Sequence, residues 1–282
     1  MKLRNARARD GLAWTLDGLR WLRRQPLHLT GLFGVMLFSL ALLSQLPLIG
    51  AVLVTTLLPA LTAGWVHTID QMRRHDVKAT PGLLFAPLLQ AGPNRITLLK
   101  VGLAHGLCIL LLLALTDAMD PSFGQTWQDM GDASSDEART QAMQAVQIGM
   151  LWRQVILVPV SLIFWHAPVL VHRDGMGLGK AIFASALASL RNAGAFVVYG
   201  ASWLALSALL VGVLALLGNP QLVMLIAVPL AMLMSAAFYA SLHATVHGCI
   251  DFGDAVDASG SGSGKDAGKD ADGAVDEPPP RG

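Results

Sequence analysis

Among the 282 residues of this chain, histidine is the side chain best suited to chemistry: a neutral imidazole can ligate a metal, and it titrates near neutral pH. His67, His172, His243 and His247 each stand near the C-terminal end of a long apolar run, and His243-x-x-x-His247 puts two imidazoles on one helical face with Cys249 close by. A metal or haem site would start from such a set. However, no carboxylate and no further cysteine stands at ligand spacing around the pair. Helix C-termini also favour cationic or polar side chains through the macrodipole, which accounts for the four histidines without a ligand. The expectation is therefore no metal, no haem and no other cofactor. His166, beside Trp165, lies inside an apolar run and precedes Pro168. An ionisable residue within lipid is a functional candidate by default, so His166 and Trp165 are the candidate cavity or functional residues.

Other motifs fall short of a reaction. Gly175-Met176-Gly177-Leu178-Gly179-Lys180-Ala181 looks at first like a phosphate loop. Such a loop needs a Gly separated by four residues from its Gly-Lys pair and Ser or Thr after the Lys to hold Mg²⁺; Asp174 and Ala181 occupy those places. The glycines make a turn instead. No Ser/His/Asp set and no paired carboxylates share a position, and no Asp, Glu, Lys or Arg falls near the middle of an apolar run. Lys100 and Arg153 are close enough to run ends to snorkel. An enzyme is not expected.

The elements that would carry these residues follow from composition. Apolar residues make up 54% of the chain and charged ones 14%, against roughly 25% charged in a soluble domain. The apolar residues gather into blocks near membrane length, and the fold class is all-α: a polytopic membrane protein with six transmembrane helices in three hairpins. The expected spans are 29–46, 51–66, 96–116, 148–171, 195–217 and 221–247. Each hairpin is preceded by an interfacial amphipathic helix: 10–25, with Leu12, Leu16 and Leu19 on one face; the short patch 83–89; and 180–191. The domain division is a basic amphipathic segment at 1–27, a six-span domain at 28–250 and a tail at 251–282. That tail is rich in Gly, Ser, Pro and mixed charge and is expected to be disordered. Loop 117–147 carries Asp117, Asp120, Asp129, Asp132, Asp136 and Glu137 against Arg139 alone, and reads as a solvated loop. Lys and Arg concentrate before span one and after spans two and four, so the positive-inside rule places both termini in the cytoplasm.

The second helices of the hairpins compare with one another. Pro59 and Pro159 are each followed six residues later by a Trp, Trp65 and Trp165, and Pro229 holds the corresponding place in the third. These three prolines are the candidate kinks, expected at one depth with equivalent neighbours. The turns Arg24-Gln25-Pro26 and Arg191-Asn192-Ala193 pair well, and Gln90-Ala91-Gly92 less well. The chain therefore reads as three units.

Pro47-Leu48-Ile49-Gly50, Phe164-Trp165-His166-Ala167-Pro168 and the segment GMGLGKAIFASALASLRNAGAFVVYGASW at 175–203 resemble an uncharacterised proteobacterial family of six-span inner-membrane proteins. The resemblance runs over roughly residues 10–250 and implies an inner-membrane location and this fold, with no activity to carry over. The expected function is non-enzymatic, structural or envelope-related; the alternative is a transporter or lipid-handling permease. A polar cavity lined by His166, Thr55, Thr56 and Ser161 would mark the alternative, and a solid bundle packed through small residues would mark the first. The expected partners are membrane lipids together with protein partners or a second copy of the chain, and not nucleic acid.

Overall fold

The computed structural model describes residues 1–47, 49–89, 94–132 and 135–253. A two-residue strand β1 (Lys2–Leu3) leads into the first unit: α1 (Asp10–Arg24), α2 (Pro26–Ser44) and α3 (Gly50–His75). The second unit holds α4 (Pro81–Leu89), α5 (Asn94–Met119), α6 (Phe123–Asp132), α7 (Asp136–Phe164) and α8 (Ala167–Asp174). The third holds α9 (Leu178–Arg191), α10 (Ala193–Ala215) and α11 (Pro220–Cys249), followed by β2 (Ile250–Asp251). Six of these segments are long and apolar enough to cross a membrane, α7 and α8 together forming one of them. The fold is thus an all-α, six-span polytopic membrane protein. Local chemistry sets several boundaries. Pro26 begins α2, where its missing N–H costs nothing. Asp76 and Gly175 take left-handed conformations that end α3 and α8. The Asn219 side chain accepts from the Gln221 and Leu222 N–H groups at 2.9 and 3.2 Å and so starts α11.

The units close into a ring. α4 packs on α3 of the unit before it, α9 packs on α7 and α8 of the unit before it, and α1 packs on α10 and α11 of the last unit. Between spans, α5 lies along α3 and α2 lies along α11. These contacts use small residues, because lipid is as apolar as leucine and close backbone approach is what brings helices together in a bilayer. A Cβ at Gly64 would strike the Leu84 carbonyl of α4, one at Gly102 the Thr56 carbonyl, one at Gly11 the Ala195 carbonyl and one at Gly18 the Ala237 carbonyl. The ring is sealed at its ends, where β1 pairs antiparallel with β2, Lys2 opposite Asp251 and Leu3 opposite Ile250. Both termini of the described chain therefore lie on one face, called the termini face below.

A pair of side-chain amides repeats this closure. Gln25, between α1 and α2, accepts from the Ala79 N–H at 3.1 Å and donates to the Val77 carbonyl at 3.2 Å, holding the lead-in to α4. Asn192, between α9 and α10, accepts from the Ala6 N–H at 2.6 Å and donates to the Arg4 carbonyl at 3.1 Å, holding the lead-in to α1. The weaker member of the set, Gln90, lies outside the described residues.

Several expectations change. Stretch 117–147 is not a plain loop: α5 runs to Met119, α6 follows, and α7 begins at Asp136, where the Ser135 hydroxyl accepts from the Ala138 N–H at 3.2 Å. Asp136 and Glu137 stand in that first turn, where the helix dipole favours negative charge. Arg153 does not snorkel. Its guanidinium is buried and reaches Asp117 and Asp120, each at 3.2 Å, and lies over the Phe123 ring at 3.7 Å. The segment 1–27 is not a separate unit, since Trp14 and Trp21 are buried in the bundle core. Its Leu12 and Leu16 point outward, 49% and 42% exposed, while Gly11, Trp14, Thr15, Gly18 and Trp21 face the protein. Asp251 belongs to the terminal ribbon rather than to a tail, and residues 254–282, expected to be disordered, lie outside the described residues. The three prolines do not share an environment: Pro59 is buried, whereas Pro159 and Pro229 are exposed. Each sits inside a continuous helix. The interruption in span four falls instead at Trp165 and His166, just ahead of Pro168.

Candidate functional site

Helix α3 packs against both α8 and α11, one helix from each unit, and two cavities follow one another along α3. The inner one, about 180 Å³, is lined by Pro59 and Thr62 of α3, His105 of α5, Ser161 and Trp165 of the fourth span and Tyr239 of α11, among others. Its walls are mostly apolar. Next toward the termini face, Ala63, Val66, Val169, Leu242 and Val246 form a buried apolar cluster. Beyond them opens a vestibule of about 380 Å³ lined by His67, Asp70, Arg74, His75, His172 and Arg173, among others.

Of the residues singled out in the sequence, Trp165 lines the inner cavity, and its Nε1–H donates to Thr245 Oγ1 at 3.0 Å. Trp165 meets Phe238 edge-on, and Trp65 stacks on Tyr239, so the two tryptophans take adjacent residues of α11. His166 lies outside the cavity wall. It is fully buried on the other side of the helix break, its N–H donating to Ser185 Oγ at 2.9 Å and its ring 5.9 Å from Phe196. Pro59 lines the cavity, and Pro159 and Pro229 do not. Thr55 and Thr56 are not cavity residues either, since they pack against Gly106 and Gly102 of α5. Ser161 alone of the expected polar set is in the wall. His105 was not singled out in the sequence, yet it is an imidazole inside the third apolar run by the same criterion that picked His166. Its ring stands 5.3 Å from Phe164, and its buried Nδ1 has no hydrogen-bond partner among the described residues.

The four histidines at span ends do come together. His67 and His172 meet edge-to-face at 5.3 Å, and His243 stacks on His247 at 4.1 Å. His247 Nδ1 lies 3.0 Å from the His243 carbonyl and its Nε2 lies 3.0 Å from Arg173 Nη1. A guanidinium can only donate, so Nδ1 carries the proton and Nε2 accepts. Asp70 pairs with Arg74 at 2.9 Å and places its other oxygen 3.7 Å from His243 Nε2, beyond hydrogen-bond length. His243 is only 1% exposed, and neither of its ring nitrogens has a hydrogen-bond partner among the described residues. Asp70, His243 and His247 offer three ligand atoms that all lie within 4.8 Å of one another. Asp70 is the carboxylate that sequence spacing did not supply: it sits on span two, and only the packing of α3 against α11 delivers it.

No family model matches the chain, and no solved structure matches it. Over 257 residues it is 29% identical to a probable inner membrane protein of Burkholderia thailandensis, a match covering 88% of this chain and 94% of that one. With its six membrane-length apolar helices, the chain is a multi-pass inner-membrane protein similar to that one.

Proposed function

We propose that the chain is a non-enzymatic structural protein of the inner membrane with an envelope-related role, its termini face in the cytoplasm. The observation that carries this reading is the way its polar and small residues are used. Thr55 and Thr56 pack against glycines, His166 is enclosed, and Gly11, Gly18, Gly64 and Gly102 bring backbones together. Buried polar groups join helices to one another: Tyr199 and Ser241 tie α10 to α11 at 2.6 Å, and Arg153 ties α7 to the end of α5. A ring knitted this way holds a shape, which suits a platform for other molecules better than a moving carrier. Its partners are the lipids around its apolar belt and protein partners or a second copy, and not nucleic acid. The cytoplasmic assignment rests on the Lys and Arg of the termini face, by the positive-inside rule.

A second reading, a transporter or lipid-handling permease, is favoured by one feature: the cavity of about 180 Å³ beside Pro59, with Thr62, His105 and Ser161 in its wall. Extraction in mild detergent followed by mass spectrometry of whatever co-purifies separates the two. A stoichiometric protein partner that persists when the cavity is filled by Ser161→Leu supports the platform. A bound lipid or small molecule that Ser161→Leu displaces supports the permease and overturns the first reading.

A further inference from the structure

We infer that Asp70, His243 and His247 form a site for a divalent transition metal of the zinc and cobalt class, reached through Asp70, which lines the vestibule at the termini face. Two imidazoles at i and i+4 on one helix point the same way, the arrangement by which a helix offers two nitrogens to one metal. The carboxylate comes from α3, so the metal would bridge the first and third units. Two nitrogens and one oxygen suit zinc, cobalt, nickel or copper rather than magnesium or calcium, which take oxygen sets. The distances are close to what is needed. With metal–ligand bonds near 2.0–2.2 Å, ligand atoms in a tetrahedron stand roughly 3.3 Å apart, and here they already lie within 4.8 Å. Small rotations of three side chains close the difference.

The second, independent observation is His243 itself. A buried imidazole with both ring nitrogens unpartnered is costly, since each polar atom removed from water forgoes a hydrogen bond. A metal on one nitrogen removes part of that cost. Of the three, Asp70 lines the vestibule of about 380 Å³, so its carboxylate is the side from which a metal and its water would enter.

Two arginines shape how the site would work. Arg173 donates to His247 Nε2, and Arg74 pairs with one oxygen of Asp70. Asp70 keeps its second oxygen toward His243, but His247 can bind metal through Nε2 only by releasing Arg173. The metal and the Arg173 guanidinium therefore compete for one nitrogen, and like charge between them weakens the affinity. The site is built for exchangeable metal rather than for a permanent structural ion.

The test uses full-length protein carrying a tag without histidines, stripped with chelator in detergent and titrated with Co²⁺, read by its visible absorption, and with Zn²⁺ by calorimetry. One metal per chain is expected. Affinity should fall more than about tenfold in each of His243→Gln, His247→Gln and Asp70→Asn, variants that keep side-chain volume, and rise in Arg173→Gln. Thermal melts establish that each variant is folded; where a ligand variant fails to fold, Arg173→Gln, which retains all three ligands, decides between the outcomes. Absence of saturable one-to-one binding, binding unchanged in folded His243→Gln, or weaker binding in Arg173→Gln overturns the proposal. The readout needs no partner, so a negative result leaves the platform reading intact, and loss of that reading leaves this one intact.

Discussion

Gly18 of α1 shows why single residues matter so much in this bundle. A side chain there would meet the Ala237 carbonyl and Ser241 of α11, whereas Gly31 of α2 has open space where its Cβ would stand. Backbone cannot retreat as the end of a flexible side chain can, so overpacking at Gly18 should cost about 1–3 kcal/mol. Gly18→Ala is expected to lower the melting midpoint of purified protein by several degrees, with Gly31→Ala neutral or slightly stabilising. Equal effects of the two would show that α1 does not rest on α11 as described. His166 illustrates the opposite case: chemically able, but enclosed by Ser185 and Phe196 away from the cavity. Its neighbour Trp165 lines that cavity.

At the scale of elements, the short helices α1, α4 and α9 that lead into the units decide the architecture. On α1, Leu12 and Leu16 are outside and the glycines and tryptophans inside, while Leu19 and Leu22 are partly buried against the core. In a bilayer a leucine loses little by facing lipid, while a glycine gains only where another backbone comes close. The same helices carry the amide clasps at Gln25 and Asn192, which hold the lead-in to the next unit. Asn192 is buried and also donates to the Ala188 carbonyl at 2.8 Å; Gln25 is more open to solvent. Removing a buried amide strands its partners, so Asn192→Ala should cost about 1–3 kcal/mol and Gln25→Ala about 0.5–1.5 kcal/mol. The double variant should be close to additive, because the two clasps share no partner. Melts in one detergent would measure all three, and a larger loss from Gln25→Ala would deny Asn192 its role in closing the ring.

For the whole molecule, three units in one direction, each with two spans, return the chain to the face where it began, and the ribbon of Lys2 with Asp251 ties the ends there. Orientation then becomes a single binary property. Ser122 is exposed beside α6, and Thr80 is exposed at the start of α4 on the other face. With Cys108 and Cys249 replaced by Ala, Ser122→Cys should react with a membrane-impermeant thiol reagent in intact cells and Thr80→Cys should not. Labelling at Thr80→Cys alone would turn the molecule over and put the histidine vestibule outside.

By itself, the sequence determined the number of spans and the likeness of Gln25 to Asn192. Each of these is written in local composition: apolar runs of membrane length, breaks at Pro and Gly, basic residues gathered on alternate loops. Local composition says little about which helix touches which, because lipid and protein interior are nearly equivalent for an apolar side chain and no polar face marks the neighbour. The sequence therefore showed His243 and His247 four residues apart but not Asp70 beside them, 173 positions earlier in the chain. It likewise suggested Arg153 as a snorkelling residue, when the fold of α6 and the end of α5 supplies Asp117 and Asp120 to a buried guanidinium. Three prolines looked alike in sequence and lie in different surroundings, because a proline's effect on its own backbone is local while its neighbours come from the packing of other helices. The cyclic closure, with α1 seated on the last unit, was decided only by the tertiary structure, since contacts between the first and last helices leave no trace in the spacing of either.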